Sequence, residues 1–269
     1  MATLTEKLRC HRLLMDLVFP RDCSLCGIPI IDPNCEAICT ACFSKITTPE
    51  QRCVRCSAPL GPGIREATGD ASSNKTSCYY CKRRKWLFRR AHCYTAYHGT
   101  AALATKKIKQ SSHEPLAIEI GKRIGHWLNQ LDTFDSQDFA CVIPVPQHWL
   151  RRMMVRYNQA DILAERIALE IGLPVNRYSL YRTRWTEKQG TKSIVDRLKD
   201  VRDSFACKPN KSIVDSRILL VDDVVTSGAT ANDAARALRL AGAKRVEVVA
   251  FARGVGAFDK ASTGLKTTL

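Results

Sequence analysis

The most distinctive pattern along the chain is an apolar run that ends in two acidic residues. Residues 218–221 read Ile-Leu-Leu-Val, an uninterrupted apolar run that is typical of a strand buried on both faces of a parallel sheet. Asp222 and Asp223 follow, and then a turn rich in hydroxyl groups. The next stretch, residues 231–240, is rich in alanine and predicts a helix that ends before Gly242. The pattern therefore predicts a strand–loop–helix unit.

Alternating strand and helix patterns continue on both sides of this unit, from residue 91 onward. Strand patterns cover residues 92–97, 139–145 and 246–252, and helix patterns cover residues 101–108, 116–131 and 160–172. Such alternation predicts an α/β domain, with a parallel sheet flanked by helices. Ligands of these sheets bind at the carboxyl ends of the strands, which is where the acidic pair falls.

The turn after the acidic pair has the composition of a phosphate-binding loop. Thr226, Ser227 and Thr230 supply hydroxyl donors, and Gly228 allows the backbone to approach a ligand closely. Together with Ala229 they lead into a helix N-terminus, which favours an anion. The two preceding carboxylates can accept hydrogen bonds from ribose hydroxyls, and a Mg²⁺ ion would bind mostly through ligand oxygens and water. An ordinary buried strand with an acidic end explains the carboxylates but not this turn.

Cysteine spacing defines a second region. Of 13 cysteines, eight form four Cys-x-x-Cys pairs, namely Cys23/Cys26, Cys39/Cys42, Cys53/Cys56 and Cys78/Cys81. Two cysteines on one tight turn reach the same tetrahedral Zn²⁺ and a second turn completes the site, so four pairs predict two structural zinc ions. The simplest assignment joins the pairs in sequence order. Interleaved pairing and an iron–sulfur cluster are the alternatives, and Cys35 is a spare thiol that could replace a ligand.

Charge adds a third feature, a basic surface. The chain has 42 Lys and Arg residues against 26 Asp and Glu, a formal net charge of +16, which favours an anionic partner such as nucleic acid. Residues 82–90, the basic segment, place six cations around Trp86 and Phe88. This composition suits single-stranded DNA, through phosphate contacts and base stacking. The alternative is a solvated basic turn whose rings pack on the second domain.

The expected domain organisation follows from these patterns. An N-terminal helix covers residues 1–20, a zinc-ribbon module with two Cys₄ sites covers 21–93, the α/β domain covers 94–256, and a flexible tail covers 257–269. No apolar run reaches the roughly 18 residues of a membrane span, and the N-terminal region lacks the features of a signal peptide. We therefore expect a cytoplasmic protein.

The motifs together resemble one known family. Residues 218–230 are similar to the motif of type I phosphoribosyltransferases that binds 5-phosphoribosyl 1-pyrophosphate (PRPP). Residues 144–146 (Pro-Val-Pro), residues 156–160 (Arg-Tyr-Asn-Gln-Ala) and the Tyr-His-Gly of residues 97–99 before Lys109 extend the match. With the four cysteine pairs, the chain is similar to the ComF family over most of its length.

This resemblance implies a function and a set of site residues. It implies a type I phosphoribosyltransferase-like domain with an N-terminal zinc finger, in a cytoplasmic bacterial protein associated with DNA uptake in natural transformation. Single-stranded DNA and the transformation helicase ComFA would be its partners. PRPP would bind with Mg²⁺, its ribose on Asp222 and Asp223, its 5′-phosphate on residues 226–230, and its pyrophosphate near Lys109 and Arg156.

Two positions depart from related patterns. The family loop Arg-Arg-Gly-Phe-Asn-Gln is replaced by Met-Val-Arg-Tyr-Asn-Gln, so Arg156 occupies the glycine position and the preceding basic positions are apolar. This change weakens the expectation of transfer chemistry more than that of PRPP binding. Thr226 stands where the 6-oxopurine enzymes have an acidic residue, which disfavours hypoxanthine and guanine as substrates.

Three functions stay open from the sequence. The first is a PRPP-binding protein associated with DNA uptake. The second is an active phosphoribosyltransferase acting on a nucleobase other than a 6-oxopurine. The third is a zinc adaptor that binds single-stranded DNA or a partner protein and keeps a vestigial pocket.

Overall fold

A computed structural model describes residues 21–32, 35–60, 77–147, 157–183 and 202–254. The expected N-terminal helix (1–20) and tail (257–269) lie outside these residues. The helices are α1 (Thr40–Phe43), α2 (Tyr79–Arg83), α3 (Gly99–Lys107), α4 (Glu114–Asn129), α5 (Gln159–Ile171) and α6 (Ala229–Leu240). The strands are β1 (Ala91–Ala96), β2 (Cys141–Pro144), β3 (Leu180–Arg182), β4 (Phe205–Cys207), β5 (Arg217–Val225) and β6 (Arg245–Arg253). None of the described helices is both long and apolar enough to span a membrane.

A four-stranded sheet with the order β1-β6-β5-β2 forms the centre of the second domain. All its described strand pairs are parallel. The central strand β5 pairs on both sides, with Val221 opposite Pro144 of β2 and opposite Val249 of β6. The predicted fold class, a parallel sheet flanked by helices and preceded by a cysteine-rich module, is confirmed.

Side chains of β5 alternate between two apolar layers. Leu219 and Val221 pack in the layer that contains α3, α4, α5 and the buried residues of the segment 23–46. Ile218 and Leu220 pack on the opposite face, in the layer that contains α6. All four side chains are fully buried. A strand covered on both faces needs an apolar residue at every position, which explains the uninterrupted run in the sequence.

Three features differ from the sequence-based expectation. Strand β5 continues through the acidic pair to Val225, because its pairing with β6 extends to Arg253. Helix α6 begins at Ala229 rather than at residue 231, because Gly228 caps it in the left-handed conformation. Strands β3 and β4 form a separate two-stranded antiparallel sheet. Each of these strands has three residues, which is too short to produce a recognisable period.

Two buried carboxylates attach peripheral segments to the α/β domain. Glu119 on α4 accepts the backbone N–H groups of residues 36–38 through Oε2, at 2.6–3.1 Å, and the guanidinium of Arg123 through Oε1. Asp233 on α6 accepts the backbone N–H groups of residues 203–205, at 2.9–3.1 Å. Each charge is therefore fully engaged, which offsets the cost of burying it.

Helices α4 and α5 approach closely because two glycines of α4 face α5. A Cβ atom added at Gly125 would lie 2.4 Å from Cβ of Glu170. One added at Gly121 would lie 2.7 Å from Cβ of Arg166. Both distances are shorter than the contact distance of carbon atoms, so these positions hold glycine for packing rather than for backbone freedom.

Gly125→Ala should therefore lower the free energy of unfolding by about 1–3 kcal/mol, because the added methyl group forces the helices apart. In an unpacked helix interior the same change would raise stability by roughly 0.5–1 kcal/mol, so the sign of the effect is the test. Lys122→Ala, on the exposed side of the same helix, is the control and should change stability by less than about 0.5 kcal/mol. Urea denaturation measures both variants, and a stabilised Gly125→Ala would contradict the close packing.

Candidate functional site

The turn between β5 and α6, residues 226–230, is called the phosphate turn below. Thr226 is exposed, and Ser227 and Thr230 are half-buried. Gly228 caps α6 with a φ of 77°. The Ser227 hydroxyl oxygen accepts a hydrogen bond from the backbone N–H of Ala229, at 3.4 Å. The first N–H groups of a helix have no intrahelical acceptor. The turn therefore presents hydroxyl and N–H donors at the positive end of a helix dipole, as the sequence predicts.

The acidic pair lies within β5, two residues before the phosphate turn. Asp222 is half-buried and Asp223 is 7% exposed. Each aspartate accepts the backbone N–H of the residue that follows it, at 2.8 and 2.9 Å. Oδ2 of Asp223 also lies 3.2 Å from Nζ of Lys109 and 3.2 Å from the donating amide nitrogen of Gln159. The structure therefore brings Lys109 to the acidic pair, whereas Arg156 lies outside the described residues.

Residues at the start of α5 hold this network in place. The Tyr157 hydroxyl donates to the carbonyl of Ile108 at 2.9 Å, and burial raises the pKa of Tyr157 to about 12, which keeps the phenol a donor. Asn158 caps α5 with its side-chain oxygen. The amide of Gln147 donates to that of Gln159 at 3.0 Å. Sequence reasoning used Tyr157, Asn158 and Gln159 only as part of a family motif and missed the contact of Gln159 with Asp223.

The eight paired cysteines form two tetrads in the described part of the chain. These are Cys23, Cys26, Cys39 and Cys42, and Cys53, Cys56, Cys78 and Cys81, and the sulfurs of each lie within 4.8 Å of one another. This grouping follows the sequential assignment rather than the interleaved one. The sulfurs of Cys26 and Cys39 are 3.8 Å apart, and those of Cys56 and Cys78 are 3.7 Å apart. A tetrahedron with Zn–S bonds of about 2.3 Å has edges of about 3.8 Å, so the thiols fit structural zinc.

Both tetrads begin with the same kind of turn. The backbone N–H groups of Cys23 and Cys53 each donate to the carbonyl five residues later, at 2.8 Å. The residue after the second cysteine has a positive φ in both turns, 74° at Gly27 and 55° at Ser57. Serine adopts this conformation at a cost, and its hydroxyl compensates by donating to the carbonyl of Ala91 at 2.6 Å. The second turn is thereby fastened to the start of β1.

Backbone donors face one thiol in each tetrad. The N–H of Cys39 lies 3.3 Å from the sulfur of Cys23, and the N–H of Cys78 lies 3.2 Å from that of Cys53. Burial raises the pKa of Cys23, but the N–H donors around its sulfur outweigh this effect and lower the pKa to about 7. Hydrogen bonds from the other three thiols lower the pKa of Cys53. These donors favour the thiolate, the form that binds metal, at Cys23 and Cys53, whereas burial raises the pKa of Cys42 to about 12.

The basic segment directs its charges outward but not its aromatic rings. The rings of Trp86 and Phe88 stack with centroids 5.2 Å apart, and Phe88 is 1% exposed. The indole N–H of Trp86 donates to the sulfur of Cys81 at 3.3 Å. The side chains of Lys82, Arg83, Lys85 and Arg89 are exposed. Of the two interpretations of this segment, packing of the rings on the second domain is the one that the structure shows.

Two protein-family models match separate parts of the chain. A model described as Double zinc ribbon domain matches residues 14–82, and a model described as Phosphoribosyl transferase domain matches residues 158–266. The fold and these matches define a double zinc ribbon joined to a phosphoribosyltransferase domain. The resemblance to the ComF family is confirmed at this level, because the chain carries both domains and its curated relatives include a competence protein and a DNA utilization protein.

Two of these relatives match over different lengths. Competence protein F of Haemophilus influenzae is 32% identical over 113 residues, which cover 42% of this chain and 49% of that protein, so this match spans about half the length of the relative. DNA utilization protein YhgH of Escherichia coli O157:H7 is 25% identical over 234 residues, which cover 86% of this chain and 96% of that protein.

Solved structures with a similar fold are more distant. Glutamine PRPP amidotransferase from B. subtilis, complexed with ADP and GMP, is 22% identical over 51% of this chain and 26% of its own, with a TM-score of 0.35. Purine phosphoribosyltransferase from Pyrococcus horikoshii is 18% identical over 50% of this chain and 73% of its own, with a TM-score of 0.32. With TM-scores this low, the fold assignment depends on the sheet topology and the domain match instead.

Cys39→Ser should reduce the zinc content from about two ions per chain to about one, because a structural site needs all four of its thiolates. Cys35→Ser is the matched control. Cys35 is also buried, but it lies outside both tetrads, and its thiol points to the carboxylate of Asp32 at 3.7 Å. Elemental analysis of the purified proteins measures the difference. Wild-type protein without zinc, an iron–sulfur absorption band, or two ions retained in Cys39→Ser would each contradict the assignment.

Proposed function

We propose that this chain binds PRPP, or a closely related ribose phosphate, together with Mg²⁺, and that it acts in the cytoplasm in DNA uptake during natural transformation. The observation that carries the proposal is the meeting of three groups at one edge of the sheet. They are the phosphate turn, the carboxylates of Asp222 and Asp223, and the ammonium group of Lys109. An anion site, a pair of hydroxyl acceptors and a mobile cation are what a ribose phosphate requires.

The proposed ligand uses each group for a different part of its structure. The 5′-phosphate accepts hydrogen bonds from the N–H groups and hydroxyls of the phosphate turn. The ribose hydroxyls donate to the acidic pair. The pyrophosphate carries Mg²⁺, which keeps several waters and is held mainly by the ligand's own oxygens. Lys109 is 33% exposed and lies close enough to the pair to reach these oxygens by a change of rotamer.

The association with DNA uptake comes from the relatives. One is named competence protein and another DNA utilization protein, and the second match covers nearly the whole of both chains. A transformation helicase of the ComFA type is the partner that family membership suggests. Nothing in the site requires transfer chemistry, and Thr226 offers no carboxylate for proton transfer to a base. We therefore place ligand binding before catalysis in the proposal.

PRPP with Mg²⁺ should raise the melting temperature, because a ligand that binds only the folded state adds about 2.7 kcal/mol of stability at about 100 times its Kd. The double variant Asp222→Asn/Asp223→Asn should lose this shift and remain folded. The charge-matched control, Asp132→Asn/Asp215→Asn, alters two exposed aspartates elsewhere and should keep it. Differential scanning calorimetry with and without ligand compares the three proteins. A full shift in the first double variant would refute the assignment of the acidic pair.

A second function, binding of single-stranded DNA, is favoured by the exposed cations of the basic segment. Lys82, Arg83, Lys85 and Arg89 lie on the surface, whereas Phe88 is buried and Trp86 is half-buried with its ring against Gly228. The segment therefore offers phosphate contacts but no fully exposed ring for base stacking. Such contacts carry no sequence information, so we propose binding with little sequence preference.

Replacing Arg83, Lys85 and Arg89 by Ala should lower the slope of log affinity against log salt by about 2, because each phosphate contact on a single strand contributes about 0.7. The control replaces three exposed lysines elsewhere in the chain, Lys122, Lys208 and Lys211. It removes the same charge and should change the slope by less than about 1 if the segment is the binding site. Titration of a labelled oligonucleotide at several salt concentrations decides between them, and equal slopes in the two triple variants would rule the segment out.

A further inference from the structure

A single arginine joins the second tetrad to the phosphate turn. Arg253, the last residue of β6, is 8% exposed. Its Nε donates to the carbonyl of Cys56 at 3.0 Å, and its Nη2 lies 3.7 Å from the sulfur of the same cysteine. Its Nη1 donates to the carbonyl of Val225 at 3.1 Å and to that of Thr226 at 2.5 Å. The guanidinium therefore touches a residue of the second tetrad and the first residue of the phosphate turn.

A tryptophan makes a second connection between the same two sites. The indole N–H of Trp86 donates to the sulfur of Cys81, and the six-membered ring lies against Gly228. A Cβ atom at Gly228 would lie 3.1 Å from two carbons of this ring. The next residue, Leu87, donates its N–H to the side-chain oxygen of Asn232 in the first turn of α6, at 2.8 Å. The position of Gly228 is therefore set by its φ of 77° and by the ring beneath it.

The first tetrad is attached elsewhere. Residues 36–38, which precede its second cysteine pair, donate their N–H groups to Glu119 of α4. The side chain of Lys107 at the end of α3 donates to the carbonyl of Ser24, between its first two cysteines. These contacts lead to the helical layer on one face of the sheet. The second tetrad is attached to β1 through Ser57, and through Arg253 and Trp86 it is also attached to the phosphate turn.

We propose that Arg253 and Trp86 are positioning residues, through which the second tetrad holds the phosphate turn in its anion-binding conformation. Each side chain contacts a cysteine of that tetrad and a residue of the turn. The order of the turn therefore depends on how firmly those cysteines are held in place. Metal fixes them, because structural metal binding and local folding are one equilibrium. Affinity for a ribose phosphate therefore depends on metal in the second tetrad. This last consequence rests on the proposed function, whereas the ordering of the turn does not.

The test compares Arg253→Gln with Arg52→Gln in the full-length, metal-loaded protein. Arg52 is the matched control, because it also joins the second ribbon to the sheet, donating to the carbonyls of Pro49 and Cys93 and lying over the ring of Trp127. Arg253→Gln should speed hydrogen exchange of residues 226–232 and weaken PRPP·Mg²⁺ binding about tenfold or more, the effect of losing one charge-assisted hydrogen bond. Arg253→Lys, which keeps the charge, should recover part of the affinity. Arg52→Gln should change neither quantity more than about twofold.

If Arg253→Gln does not fold, Trp86→Phe is a second variant that tests the coupling between the second tetrad and the phosphate turn. It retains an aromatic ring but removes both the N–H that reaches Cys81 and the indole carbons that lie against Gly228, so it should speed exchange in the turn. Metal dependence is read from Cys78→Ser, which should raise exchange in the phosphate turn, and from Cys39→Ser, which should raise it in residues 36–46 instead.

The outcomes separate this inference from the proposed function. Equal exchange of the turn in Arg253→Gln and Arg52→Gln, or in Cys78→Ser and Cys39→Ser, would overturn the coupling even if the wild-type protein binds PRPP. Wild-type protein that fails to bind PRPP would overturn the proposed function. The exchange rates, measured without ligand, would still decide whether the second tetrad orders the turn.

Discussion

The parallel pairing of β5 with β2 and β6 is the constraint on which the rest of the structure depends. Because these strands run in one direction, their carboxyl ends meet at one edge of the sheet. Strand β5 carries the acidic pair near its end and leads into the phosphate turn, and Arg253 ends β6. Each strand is too short to build a site alone. The acidic pair, the phosphate turn and Arg253 lie together at the shared edge, and the apolar layers on both faces of the sheet keep that edge rigid.

The cysteine-rich module is fastened to this sheet by polar contacts that are buried rather than exposed. Glu119 accepts three N–H groups of the first ribbon, and Ser57 of the second ribbon donates to the start of β1. A buried carboxylate without such partners would be strongly destabilising. These contacts therefore fix where the module sits as well as hold it. The phosphoribosyltransferase-like domain and the zinc ribbons are parts of one polar and apolar framework.

Much of this fold is accessible from sequence because its long elements have clear periods. Helices α4 and α5 repeat apolar residues at helical spacing, and β5 and β6 are nearly continuous apolar runs. The cysteine pairs and the phosphate turn are local motifs, so they were also found. The contacts that unite them are not local. Arg253 contacts Cys56, which is 197 positions away in the sequence, and Gln159 contacts Asp223, which is 64 positions away. The hydrophobic period of a helix or strand does not predict such long-range contacts. The sequence does not predict strands β3 and β4, because three residues are too few to show a strand period.

The ion pair between Lys109 and Asp223 has a consequence for selectivity in the complex that we propose. A free phosphate could draw Lys109 away, but it would give Asp223 no hydroxyl donor in exchange. A nucleoside could offer hydroxyls, but it would give Lys109 no anionic oxygen. Only a molecule that carries both groups, at the spacing of a phosphorylated ribose, replaces both halves of the pair at once. In the proposed complex, the ion pair therefore selects against free phosphate and against free nucleoside, which are fragments of the ligand itself.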